Sequence, residues 1–179
     1  MLFDPKQTGA LKRAVEACGQ LNVGFWPGQY NDFIQALSQF MGGPLDSVDA
    51  FVTGASVFEE SDHEHTVMWI RGDSIGLLAG SGRPDDNDPP EVRGWVRPVQ
   101  AITHLEFRGA EFYRDPSTRT LQEVRPTVRI HFRDDANVIV EINVAGRPDE
   151  FSRDQALAFI EVLEKALAGH PRESTSPEA

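Results

Sequence analysis

Four basic side chains, Arg125, Arg129, His131 and Arg133, lie an even number of residues apart in a stretch that reads as β-strand. An even spacing puts all four on one polar face. The arginines recur every fourth residue, roughly 13 Å apart at the rise of a strand. That length suits an extended acidic peptide better than a single phosphate. A planar guanidinium can hold carboxylates bidentately, so the strip is the expected ligand-binding feature. The competing expectation is a structural ladder of cross-strand pairs to Glu141, Glu106 and Glu123, each worth about a few tenths of a kcal/mol when exposed.

Other groups that could carry chemistry are less complete. His63 and His65, beside Glu59, Glu60, Asp62 and Glu64, would share one face of an extended segment, as two zinc or nickel ligands must. Spacing fixes no third ligand, a polar turn entering a strand explains them as well, and no metal is expected. Asp85-Asp86-Asn87-Asp88 offers oxygen ligands, but Pro89-Pro90 follow where a calcium loop needs glycine and further donors. Arg71-Gly72-Asp73-Ser74 spells an adhesive tetrapeptide and is better explained as hairpin-turn chemistry. Gly54-Ala55-Ser56 and Gly80-Ser81-Gly82 complete neither a nucleophile elbow nor a phosphate-binding loop. His104 and His131 could move protons, although strand histidines usually do not. Cys18, the only cysteine, fits the buried stripe of a helix and is a poor nucleophile candidate. The expectation is a protein without catalytic residues or cofactor.

Composition narrows the partners. The chain of 179 residues has a formal net charge of -11, and residues 51–100 carry nine carboxylates against four arginines. Such a balance argues against general nucleic-acid binding. No segment approaches the roughly 20 apolar residues needed to span a bilayer, and no export signal is evident, so a cytoplasmic location without membrane insertion is expected.

The elements that must position these groups centre on residues 127–144. Val128, Ile130 and Phe132, then Val138, Val140, Ile142 and Val144, alternate with polar residues on either side of Asp134-Asp135-Ala136-Asn137, the pattern of a β-hairpin. Both apolar faces must meet one core, which sets Phe132 opposite Val138, Ile130 opposite Val140, Val128 opposite Ile142 and Arg129 opposite Glu141. Asn137 is the expected left-handed or bulge residue.

In chain order, Asp4-Pro5 with Gln7 opens a first helix whose stripe is Leu11, Ala14, Val15, Cys18 and Leu21. A second follows Trp26-Pro27-Gly28, carries Tyr30, Phe33, Ile34, Leu37, Phe40 and Met41, and stops at Gly42-Gly43-Pro44. Residues 51–58 read as one strand with poor alternation. Residues 67–70 and 75–79 form a strand pair, and residues 81–93 a mobile loop. Residues 95–108 read as a strand, with Pro98 at an edge or bulge and Ile102, Leu105 and Phe107 as core candidates. Residues 111–125 form a hairpin about Asp115-Pro116-Ser117-Thr118. Ser152, with Gln155 at its third position, is expected to cap a last helix ending at Ala168, whose apolar positions Ala156, Phe159, Ile160, Val162, Leu163, Ala166 and Leu167 make a wide arc. That arc suggests apolar surface left for self-association, with Val162 in the contact.

The expected fold is α+β: a helical hairpin at 1–45, a strongly bent antiparallel sheet or partly open barrel of about seven strands with a capping helix at 46–169, and a disordered tail at 170–179. Strands followed by one capping helix, with Trp95-Val96-Arg97-Pro98-Val99-Gln100-Ala101-Ile102-Thr103-His104-Leu105-Glu106-Phe107 similar to the middle strand, resemble the pleckstrin-homology superfold, in particular its bacterial PH-like members. The resemblance implies a noncatalytic binding module, often oligomeric in bacteria. Its eukaryotic relatives bind phosphoinositides through basic residues in the first hairpin loop, where this chain has Glu59, Glu60, Asp62 and Glu64, which would repel an anionic headgroup. The helical hairpin also lies outside the family pattern.

The function expected is therefore an adaptor that binds a protein partner or itself. Two alternatives stand beside it: a small-molecule-binding or enzymatic α+β cup, and an acidic chaperone-like adaptor for a secreted protein.

Overall fold

Residues 65–70, His-Thr-Val-Met-Trp-Ile, are buried without interruption, which a strand permits only when both of its faces are covered. The computed structural model, which describes residues 5–18, 24–58, 65–133 and 138–169, shows what covers them. The chain is α+β, and its described residues form helices α1 (Pro5–Ala17), α2 (Pro27–Met41) and α3 (Glu150–Ala168) and eight strands. Strands β1 (Ala50–Thr53), β3 (His65–Arg71), β4 (Ser74–Ser81) and β5 (Glu91–Pro98) form one sheet in the order β1-β3-β4-β5. Strands β2 (Ser56–Phe58), β8 (Ile139–Asn143), β7 (Leu121–Phe132) and β6 (Ile102–Arg114) form a second, β2-β8-β7-β6. Every pairing is antiparallel.

Alternate residues of the first sheet enter different cores. Met68 and Ile70 of β3, with Ile75, Leu77 and Ala79 of β4, join Val128, Ile130, Val140 and Ile142 of the second sheet and Ala156, Phe159, Ile160 and Leu163 of α3. Val67, Trp69 and Leu78 instead meet Leu11 and Val15 of α1 and Tyr30, Phe33, Ile34, Leu37 and Met41 of α2. The helical hairpin thus covers the outer face of the first sheet. Phe40, expected in its stripe, is exposed.

The expected hairpin of residues 127–144 is present, with Val128 opposite Ile142, Arg129 opposite Glu141 and Ile130 opposite Val140. Its strands are the two central ones of the second sheet. Asn137, the acidic residues 59–64, Asp4 and the tail 170–179 lie outside the described residues.

Several expectations are corrected. The single bent sheet is two sheets, and no closed barrel forms among the described residues. Residues 51–58 are two strands, because Gly54, with φ of 65°, lets the chain leave one sheet and Ser56 begin pairing with Glu141 in the other. Residues 95–108 also divide between sheets: Pro98 ends β5, a 3-10 turn at Val99–Ala101 makes the crossing, and β6 begins at Ile102. The loop read at 81–93 already pairs as strand from Glu91, opposite Ser81. Its remainder is clasped by buried Gln29, whose Nε2 donates to the carbonyls of Arg83 (3.2 Å), Asp85 (2.7 Å) and Asp88 (3.0 Å) while its Oε1 accepts from Arg83 N. The cap of α3 is Asp149, one turn before the expected Ser152. Asp149 Oδ1 accepts from Ser152 N at 2.8 Å, and Ser152 Oγ donates back to Asp149 O.

Candidate functional site

The basic strip lies on the outer face of the second sheet, where register sets what each side chain meets. Arg129 stands between Glu106 of β6 and Glu141 of β8 in one cross-strand row. Its Nε donates to Glu141 Oε2 at 2.8 Å, with both side chains largely covered. Glu106 accepts from Arg108 Nη1 at 3.0 Å and meets His131 Nε2 at 3.1 Å. The Arg108 bond and then the His131 bond hold the Glu106 carboxyl below the usual carboxylate range. His131 in turn stacks on His104, ring centroids 4.1 Å apart and the ring planes nearly parallel at 12°.

Arg125 belongs to another group. Its Nη2 donates to Glu123 Oε2 at 2.7 Å and its guanidinium lies 4.6 Å from the Tyr113 ring, while Arg153 of α3 approaches the other Glu123 oxygen at 3.5 Å. Arg133 is exposed beyond the end of β7, its backbone N donating to Ala101 O. The structure therefore brings Arg129 and His131 together within a paired network, sets Arg125 in a second network, and leaves Arg133 apart.

This network predicts an asymmetry. Arg129→Ala leaves Glu106 and Glu141, on the two strands that flank β7, without the cation between them and is expected to cost about 1–2 kcal/mol, because both partners of the Arg129–Glu141 pair are largely covered. Arg133→Ala should change stability by less than about 0.5 kcal/mol. Urea unfolding of the two variants checks this, and equal effects would mean the pairing does not support the sheet.

The remaining candidates have structural roles. His65 is buried in β3 and packs on the Phe25 ring, centroids 4.7 Å apart; His63 lies outside the described residues. Among the described residues no three His, Cys, Asp or Glu side chains gather as metal ligands. Asp85 Oδ1 accepts from Asn87 N and Nδ2, closing an Asx turn. In the Arg71–Ser74 turn, Arg71 Nη1 donates to Met41 O, and Gly72, with φ of 54°, donates its N–H to Asp49. Cys18 is buried, and burial pushes its thiol up to about 11, far from an activated nucleophile. Among the described residues no helix is long and apolar enough to cross a membrane.

The feature that strand patterning missed is the outer half of the β6–β7 hairpin. Ile102, Val128, Ile130 and Phe132 reach the core, but the strands run on beyond it. Phe107 is 58% exposed, Phe112 64% and Tyr113 51%, and Leu121 and Val124 are exposed as well. Five of the nine exposed large apolar side chains among the described residues thus sit on one arm. The arm is braced in its outer part. At its tip the Asp115 carboxylate accepts from the Ser117 hydroxyl, from Thr118 N (2.8 Å) and from Ser117 N (2.7 Å), which in that order bring its carboxyl down to about 2. Just behind the tip, Glu123, which pairs with Tyr113, is held by Arg125 and approached by Arg153, so the group ties the arm to α3. The sequence carried a signal for this: aromatic residues between charges at 106–114, with no glycine-rich tip to excuse their exposure.

No protein-family model matches the chain, and no curated protein matches it significantly.

Proposed function

We propose that the chain is a noncatalytic binding module of the pleckstrin-homology-like kind, acting in the cytoplasm through protein–protein contact, with the β6–β7 arm as its contact surface. The observation that carries this reading is the arm itself, a braced hairpin that holds aromatic side chains in solvent next to a sheet edge that no strand among the described residues pairs. Clustered exposed apolar area of this kind marks interaction surfaces.

The order of elements supports the family part of the reading. If β1, Gly54-Ala55 and β2 are counted as one bent strand shared by both sheets, seven strands remain, arranged 1-2-3-4 and 5-6-7-1, with α3 following. The space between the sheets is taken up by the apolar side chains of both sheets and α3, which favours binding on an outer surface over a ligand held in a cup.

The test is affinity capture from extracts of the source cells with the wild type and with Phe112→Ser/Val124→Ser, beside thermal unfolding of both. Proteins retained by the wild type, the chain itself included, are expected to be lost with the variant while Tm moves by less than about 2 °C, since both positions are exposed. Retention of the same proteins by the folded variant would overturn the assignment of the arm.

A further inference from the structure

The arm's edge strand has a mirrored chemistry. From Phe107 to Phe112 the chain reads Phe-Arg-Gly-Ala-Glu-Phe, and backwards the order is again aromatic, charged, small, small, charged, aromatic, with the two charges exchanged. Two antiparallel copies would set each arginine against a glutamate and each phenylalanine against a phenylalanine.

A regular strand could not use this order. Phe107 and Phe112 are five residues apart and would point to opposite faces. The bulge in β6 changes the parity. Phe107 pairs with Val128, Gly109 with Thr127, Ala110 with Pro126, Glu111 with Arg125 and Phe112 with Val124, so Arg108 is the extra residue. Phe107, Ala110 and Phe112 then share the face of Val128, whereas Arg108, which bonds Glu106, shares the opposite face with Glu111. With the Arg108-Gly109 bulge counted as one position, Ala110 is the midpoint.

β6 is the outermost strand of its sheet, and among the described residues no strand pairs with its free side. It carries neither Lys nor Pro, the usual blunting residues of an edge. A bulge can also turn an edge away from partners. Here the two-fold would set each bulge opposite a Glu111, so both strands bend alike. The strand is also neutral, with Glu106 and Glu111 balancing Arg108 and Arg114, in a chain whose net charge of -11 would otherwise oppose its own association.

We infer that a second copy of this chain pairs with β6 antiparallel about a two-fold axis at Ala110, joining the two β6-containing sheets edge to edge, with Phe107 against the second copy's Phe112 and Arg108 against its Glu111. The inference rests on the arm being a contact surface and adds the identity of what covers it. Arg108 is free to change partner because its pair with Glu106 is half exposed.

Sedimentation of the full chain tests it, with circular dichroism confirming that each variant folds. The wild type should dimerise. Arg108→Glu, which sets glutamate against glutamate twice per dimer, should weaken the dimer about tenfold, and Arg108→Glu/Glu111→Arg should restore it to within about threefold. Ala110→Cys should yield a covalent dimer on oxidation with diamide, because directly opposed residues have Cβ atoms about 5 Å apart and a disulfide needs only a small adjustment from there; Cys18 is buried and adds little background. A wild type that stays monomeric at its highest soluble concentration, a charge exchange that fails to restore the dimer, or Ala110→Cys chains that do not join would each overturn the inference. If the chain is monomeric while Phe112→Ser/Val124→Ser still loses a different protein, the arm remains a contact surface and only self-pairing falls.

Discussion

Replacing Gly76 by alanine is expected to destabilise the protein by about 3 kcal/mol, the upper part of the range for overpacked cores. Gly76 lies directly across from Trp69 in the β3–β4 ladder, and the indole ring covers it. A Cβ there would stand 2.2 Å from Trp69 Cζ2 and 2.3 Å from Cε2. The ring cannot simply move aside, since Trp69 is 1% exposed and packed among α2, Val67 and Leu78. Gly80, on the same face of β4, seats the Phe33 ring of α2 in the same way, with Cδ2 at 2.7 Å from an added Cβ. The two glycines are therefore sockets for the aromatic residues that fasten the helical hairpin to the sheet. At this chain length the predicted loss is a fall in Tm of roughly 6–12 °C. In a Trp69→Leu background the same Gly76→Ala change should cost at least about 1 kcal/mol less, because the clash is with the indole. A Tm within 2 °C of wild type for Gly76→Ala would show that the socket is not tight.

These sockets also indicate what the sequence could and could not disclose. Register in the 127–144 hairpin was legible because one parity is apolar and the other polar, so parity alone fixes the pairing. The first sheet was not legible in that way: with helices on one side and the second sheet on the other, both parities are apolar, and residues 65–79 lose the alternation that locates a face. For the same reason, the poor alternation of residues 51–58 marked a chain changing sheets at Gly54 rather than a weak strand. Pro98 was read as the mark of an edge or bulge, and β5, which it ends, is indeed the edge strand of the first sheet, but a proline within one edge strand and one between two strands look alike in one dimension. Arg129 and Glu141 were legible as partners from register. Phe107 was misplaced because alternation says which face a residue takes and not whether the core extends that far. Beyond Val128 it does not, and the same aromatic pattern becomes exposed arm.

The second large effect is expected at α3, where Phe159→Ala should cost about 4 kcal/mol. Phe159 is fully buried in the core shared by the two sheets, together with Ala156, Ile160 and Leu163 of the same helix. The width of the α3 apolar arc suggested surface left over for association, with Val162 in the contact. In the structure that width is used internally: Leu157, Val162, Ala166 and Leu167 pack partly buried around the rim of the same core, against an end of the molecule that includes β1, β3 and the Val99–Ala101 turn. Val162→Glu should accordingly lower stability, by about 1–2 kcal/mol because the position is only half covered and a carboxylate can reach water from it. Glu161→Lys, on the exposed side, gives up one surface pair with Lys165 and should cost less than about 0.5 kcal/mol. Urea unfolding in dilute solution separates the two roles. If α3 is a structural cap, Phe159→Ala and Val162→Glu lose stability at concentrations where the chain is monomeric, and association through the β6 edge persists wherever the variants remain folded. A Val162→Glu protein with wild-type stability and lost self-association would return the contact to the helix and remove it from the arm.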